Sequence, residues 1–206
     1  PPRKLFMKAL FQSLLERLQN GLDAKAEVKL IQNLYLALDE KHLLLYFADS
    51  QAQSLLQTNS WDGALRTANG DFLMVVDSNV GFNKINPIID EALDYSVTLD
   101  DSGAQARLRI KYKNNSPATG DSCVQAVRHT TYEEMQRGCY WDYLRVYVPD
   151  GSQLAGATYV PLPKGSLLYR SGSSSDNQPT ANRAESGKTA LGNFFVVAPQ
   201  QTTELA

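Results

Sequence analysis

Two cysteines and two histidines are all the cysteine and histidine metal ligands in this 206-residue chain. They are too few for a structural zinc site without carboxylate help. Neither sign of charge dominates, since 20 lysines and arginines against 22 aspartates and glutamates leave a net −2. A dedicated nucleic-acid binder carries a clear basic excess, so this balance argues against one. Long apolar runs are missing as well. The longest, Leu43 to Ala48, falls far short of the roughly 20 residues of a membrane-crossing helix. There is no internal repeat and no signal peptide, and the sequence opens on Pro1-Pro2 in place of Met. It reads as a piece of a longer protein, so missing targeting signals say little about location. What remains is ordinary globular material, 43% hydrophobic and 20% charged, enough for one large domain or two small ones.

The first forty residues are helical in period. Leu10, Leu14 and Leu18 share one face after Leu5 or Phe6, Asn20-Gly21 is a stop signal, and Asp23 is placed to cap a second helix. That helix carries Val28, Ile31, Leu34, Tyr35 and Leu38 as its stripe. The continuous apolar run His42 to Phe47 predicts a strand buried on both faces, opened by a hydrogen-bonded His42. Asp49 or Ser50 caps a short helix, and Phe72 to Val76 predicts a second buried strand.

From about residue 90 the period is two. Leu93, Tyr95, Val97 and Leu99 alternate with polar residues, Asp100 to Gly103 turns the chain, and Ala104, Ala106, Leu108 and Ile110 continue the apolar face. Pairing 99 with 104, 97 with 106, 95 with 108 and 93 with 110 puts both apolar sets on one side, and that fixes the register. Asp94 then faces Arg109 on the other. Further strands are expected at 143–148, 154–160, 166–170 and 189–197. The segment 171–181 reads as an exposed loop, and 202–206 as a strand cut just after it begins, leaving an unpaired edge. The expected class is therefore α+β: a helical hairpin and small mixed α/β part over 1–90, the end of a larger upstream domain, then an antiparallel Ig-like β-sandwich over 91–206.

Candidate chemistry is sparse. Cys123 and Cys139 flank a polar, loop-like stretch and are expected to form a disulfide, which places the chain in an oxidising compartment. The alternative is two unrelated buried thiols. No histidine stands at a recognisable spacing for a Cys–His nucleophile, although His129 falls between the cysteines. Ser186-Gly187-Lys188-Thr189 imitates the end of a phosphate loop, but Asn182 stands where glycine is required. Gly172 to Asp176 fails the nucleophile-elbow pattern at its last position. Asp77, Asn79, Gly81 and Asn83 have the alternating oxygens of a calcium loop, yet Phe82 and Ile88 occupy its glycine and closing-acid positions. Asx turns and capping are the plainer reading of those side chains. Arg107, Arg109, Lys111 and Lys113 make a basic stripe about 7 Å apart along one strand face, open to an acidic glycan or else simply solvated. Trp61, Tyr132, Tyr140 and Trp141 suit sugar stacking if exposed, but core or loop-anchoring roles are the plainer reading. No catalytic residue, metal ligand or cofactor is assigned.

The strings KHLLLYFADSQAQSLL (41–56), WDGAL (61–65), DFLMVVDSNVGFNK (71–84), YLRVYVPDGSQL (143–154) and SGKTALGNFFVVAP (186–199) together resemble a bacterial family called domain of unknown function 4012. The resemblance spans most of residues 25–200. Proteins of that kind are typically larger, with an N-terminal membrane anchor and an exported body, and the similarity makes this chain their C-terminal portion. It implies export and supplies no activity. The family's Asn-Lys step falls on Asn83-Lys84, which marks Asp77 to Lys84 as the candidate functional loop. The expectation is a non-enzymatic extracytoplasmic module at the cell surface, structural, adhesive or scaffolding, its membrane contact made through a segment absent from this chain. Cell-wall glycan or another envelope protein would be the partner, bound by Asp77, Asn79, Asn83, Lys84, Arg107, Arg109 and Lys111. Two alternatives stand beside it: a part of an envelope polysaccharide-assembly enzyme whose reacting groups lie upstream, and a β-domain with an internal Lys84–Asn crosslink.

Overall fold

Two aspartates start two of the helices. Asp23 Oδ1 accepts the Ala26 N–H and Asp49 Oδ1 accepts the Ala52 N–H, both at 2.9 Å, each satisfying one of the donors that a helix start leaves open. A computed structural model describes residues 2–66, 70–101, 103–118, 122–125, 131–168, 178–184 and 187–206. Within it the chain divides into two units, Pro1–Leu65 and Arg66–Ala206.

The first unit holds α1 (Pro2–Gln19), α2 (Ala24–Asp39) and α3 (Ser50–Thr58). Leu38 and Leu56 are its buried apolar side chains, and Tyr35 meets Trp61 edge-on at 5.5 Å between ring centroids. The strand expected over His42 to Phe47 does not form. That run is irregular chain, tied by the Leu45 N–H to the Trp61 carbonyl at 3.0 Å, and Leu44, Tyr46 and Phe47 are exposed. A short apolar run cannot specify a strand without a neighbour to complete its ladder. His42 is exposed too, 3.3 Å from the Glu40 carboxylate.

The second unit is built of two antiparallel sheets. One runs in the order β1 (Met74–Val76), β4 (Tyr140–Pro149), β6 (Lys188–Val197), β5 (Thr180–Ala184), and the other β2 (Ile89–Asp100), β3 (Gly103–Asn114), β7 (Thr202–Leu205). A single turn of helix, α4 (Tyr132–Met135), is opened by a Thr131–Glu134 capping box. The β2–β3 hairpin takes the expected register, with Leu99 opposite Ala104 and Leu93 opposite Ile110. The last strand pairs with β3 on one side, Leu205 opposite Ile110, and is the marginal strand of its sheet. Thr180 and Ala181, expected in a loop, begin β5. Residues 154–160, expected as a strand, are irregular. The division falls at Leu65/Arg66 and not near residue 90, because β1 pairs with β4 and belongs to the second unit.

Both sheets contribute to one core. Ile110, Tyr112 and Leu205 from one meet Tyr140, Leu144, Val146, Phe195 and Val197 from the other, with Ile85 between them. Tyr112 and Phe195 stand 4.9 Å apart. Each such side chain contributes about 1.5–3 kcal/mol by leaving water.

Candidate functional site

The loop after β1 is an irregular continuation of that strand along β4. The Tyr143 N–H donates to the Ser78 carbonyl at 3.0 Å and the Val80 N–H to the Trp141 carbonyl at 2.9 Å. Asn79 organises the turn. Its Oδ1 accepts the Gly81 N–H, and its Nδ2 donates to Asn83 Oδ1 at 2.8 Å and Asn86 Oδ1 at 2.7 Å. Asn83 Nδ2 donates in turn to the Cys139 carbonyl at 3.0 Å. The side-chain oxygens of Asn79 and Asn83 therefore accept N–H donors within the loop, and the Asn79 oxygen does so as an Asx turn. Phe82 takes the left-handed conformation, φ 57°, which costs a bulky residue of this kind about 1–2 kcal/mol. The Lys84 ammonium lies 5.3 Å from the centroid of the Tyr132 ring, a cation–π contact.

Cys123 and Cys139 form a disulfide, packed with Trp141 and Leu162. The bridge adjoins the loop, since Cys139 supplies the carbonyl that Asn83 holds. A second anchor is Asn114 at the end of β3, fully buried. Its Nδ2 donates to the Gly138 and Val197 carbonyls, each at 2.9 Å, and its Oδ1 accepts the Ser116 N–H.

The expected ligand set does not converge. Asp77, Asn79, Asn83 and Lys84 lie in this loop. Arg107, Arg109 and Lys111 project from the exposed face of β3, whose other face carries the buried Ile110 and Tyr112. Asp94 stands opposite Arg109 and Glu204 opposite Lys111, yet neither pair closes to an ion pair among the described residues. Of the stacking candidates, Tyr140 and Trp141 are core side chains, 2% exposed, so they cannot meet a sugar face. Lys188 opens a strand, as the sequence implied, with its ammonium 4.0 Å from the Phe72 ring centroid. His129, Gly172 to Asp176 and Ser186 lie outside the described residues.

Asp77 of the candidate loop does converge with other groups, two of which, Asp142 and Glu91, escaped the sequence reading. Asp142, on β4, has no exposed surface and lies against Asp77, which Glu91 of β2 also neighbours. Tyr112 Oη donates to Asp77 Oδ1 at 2.7 Å and Tyr140 Oη to Asp142 Oδ1 at 3.0 Å. Burial, reinforced by the charge of Asp77 and a hydrogen bond with it, pushes the Asp142 carboxyl up to about 8, against smaller opposing effects of Tyr140 and the Ser78 backbone. Glu91 is raised by burial and then by Asp77. Both tyrosines are raised far above their ordinary range, by burial first and then by the neighbouring carboxylates. A signal for Asp142 was present. Counting back by twos from Val146 and Leu144 puts an acid at 142 on the inward face of a strand.

This arrangement can hold a proton between carboxyls. Having no exposed surface, Asp142 is out of reach of any substrate in this conformation. An open depression of about 380 Å³, lined by Asp150, Gly151, Ser152, Ala181, Asn182 and Thr189, lies at the opposite end of β4, about 23 Å from Asp142 along the strand. Comparisons with protein-family models, curated proteins and solved structures find no match. No described helix is long and apolar enough to cross a membrane.

Proposed function

We propose that this chain is a non-enzymatic, extracytoplasmic cell-envelope module of the kind that the resemblance to domain of unknown function 4012 describes. It works at the cell surface in a structural, adhesive or scaffolding role, and the full-length protein is membrane-anchored through another segment. Its partner is cell-wall glycan or another envelope protein. The observation that carries this reading is where the titratable groups meet. Asp77, Glu91 and Asp142 converge at the join of two sheets, with the most perturbed of them, Asp142, wholly buried. Reacting groups of an enzyme converge instead on a space that a substrate enters.

The Cys123–Cys139 bridge supports an oxidising compartment. Four antiparallel strands against three, sharing one core, support an Ig-like sandwich in layer count, in a strand order of its own. Such a scaffold displays a partner-binding face. The exposed cations of β3 and the Lys84 loop are the faces we assign to the partner.

The test is binding of the oxidised chain to purified cell-wall glycan and to envelope-protein extract. It compares wild type with Lys84→Ala and with Arg107, Arg109 and Lys111 changed together to Gln. Loss of at least tenfold in affinity in one of the variants supports the module. Equal binding by all three removes both faces from the proposal, and turnover of an envelope polysaccharide by the chain replaces the module with the enzyme reading.

A further inference from the structure

The convergent carboxyls come from both sheets. Asp77 directly follows β1 and Asp142 lies on β4, in the four-stranded sheet, whereas Glu91 lies on β2 in the three-stranded one. Tyr140 joins them from the first sheet and Tyr112 from the second. These five are the titratable side chains that face one another here. Among the described residues none of the three carboxyls is ion-paired with a cation, and no group of His, Cys, Asp and Glu is placed to hold a metal. Asp142 Oδ2 is buried with no donor, while Oδ1 takes the Tyr140 hydroxyl.

Ionised carboxylates only accept hydrogen bonds, so Asp77 and Asp142 side by side repel. A single proton between them turns that contact into an O–H···O⁻ bond, among the stronger hydrogen bonds available to side chains. It also gives the orphaned Oδ2 its missing partner. We propose that Asp142 and Asp77, with Glu91 at the solvent edge, form a proton-operated latch that ties the chain after β1 to β4 where the three-stranded sheet packs on them. With the shared proton in place the carboxyls hold that chain against β4; without it they push the two apart.

Exposed Glu91 gives the proton a way in and out. The direction of the pH effect follows. In the unfolded chain Asp142 titrates near 3.8, and in the folded one near 8. Between those values the folded state binds the extra proton. Stability is therefore complete below the unfolded value and is lost as the pH rises through the folded one. One proton corresponds to an unfolding constant that grows up to tenfold per pH unit across that window.

The experiment is urea unfolding of wild type and Asp142→Asn from about pH 5 to 9 with a chelator present, repeated with added calcium. Asn keeps the shape and offers Asp77 a permanent N–H donor. Wild type is expected to lose stability steadily toward alkaline pH, and the variant to stay flat from about pH 6 to 8. Asp77→Asn removes the neighbouring charge that helps to raise the Asp142 carboxyl and is expected to move the loss to lower pH, so the wild-type curve is not reproduced. An infrared spectrum of wild type, which depends on no variant folding, should show a protonated-acid carbonyl stretch near pH 6 that disappears by about pH 9. Absence of that stretch overturns the latch, as does a slope unchanged in Asp142→Asn. So does calcium raising alkaline stability by more than tenfold in the unfolding constant, which would make the cluster a cation site.

Discussion

Replacing Asn114 by Ala tests whether one buried amide holds three segments together. The wild-type side chain accepts the Ser116 N–H and donates to the Gly138 and Val197 carbonyls. Its own backbone N–H donates to the Gln201 carbonyl at 3.0 Å, and its carbonyl accepts the Gln200 N–H at 2.8 Å; both survive the substitution. The cost therefore lies with three orphaned groups. A buried polar group left without a partner costs about 1–3 kcal/mol. Val197 and Ser116 are buried, whereas Gly138 is only half-buried and water can reach its carbonyl. Counting two groups in full and neglecting the third gives about 2–6 kcal/mol, a large fraction of the 5–15 kcal/mol typical of a domain. Urea unfolding followed by fluorescence reads this well, because buried Trp141 reports on the second unit and Trp61 on the first. The Trp141 midpoint should fall steeply. A loss below about 1 kcal/mol, in the range of an ordinary surface substitution, would refute the reasoning and show that water replaces the amide at low cost.

Reducing the Cys123–Cys139 bridge, or changing both to Ser, should cost about 3 kcal/mol, because it frees a loop of sixteen residues in the unfolded chain. Non-reducing intact mass should lie below the sequence mass by two hydrogens, and calorimetry with and without reductant checks the cost. Gly81→Ala should destabilise the second unit by about 1–3 kcal/mol. Its new Cβ would stand 3.1 Å from Asn79, Asn83 and Trp141 at once, and thermal melts of the variant against wild type decide it.

What was legible in the sequence and what was not divides along the range of the contacts. The hairpin Ile89–Asn114 was readable to the residue, because its two apolar sets must share a face and only one register allows it. The caps Asp23 and Asp49 were readable because a side chain and the N–H it accepts lie three residues apart. The run from His42 to Phe47 misled, since its apolar character implied a strand and only a distant partner could have supplied one. The carboxyl latch was hidden for a related reason. Asp77, Glu91 and Asp142 are brought together by pairing of β1 with β4 and by packing between the sheets, and neither is written in local spacing. Asp77 was singled out beforehand for its loop, and the inward position of Asp142 on its strand was open to inspection, but nothing local linked the two.

The hairpin has an implication for life at high concentration. β2 is a twelve-residue strand at the outer margin of its sheet, and so long a row of unsatisfied backbone groups invites another molecule to zip onto it. Asp90, Glu91, Asp94 and Asp100 punctuate that row. A sister chain running alongside would crowd anionic groups together along the seam, so the margin discourages its own polymerisation.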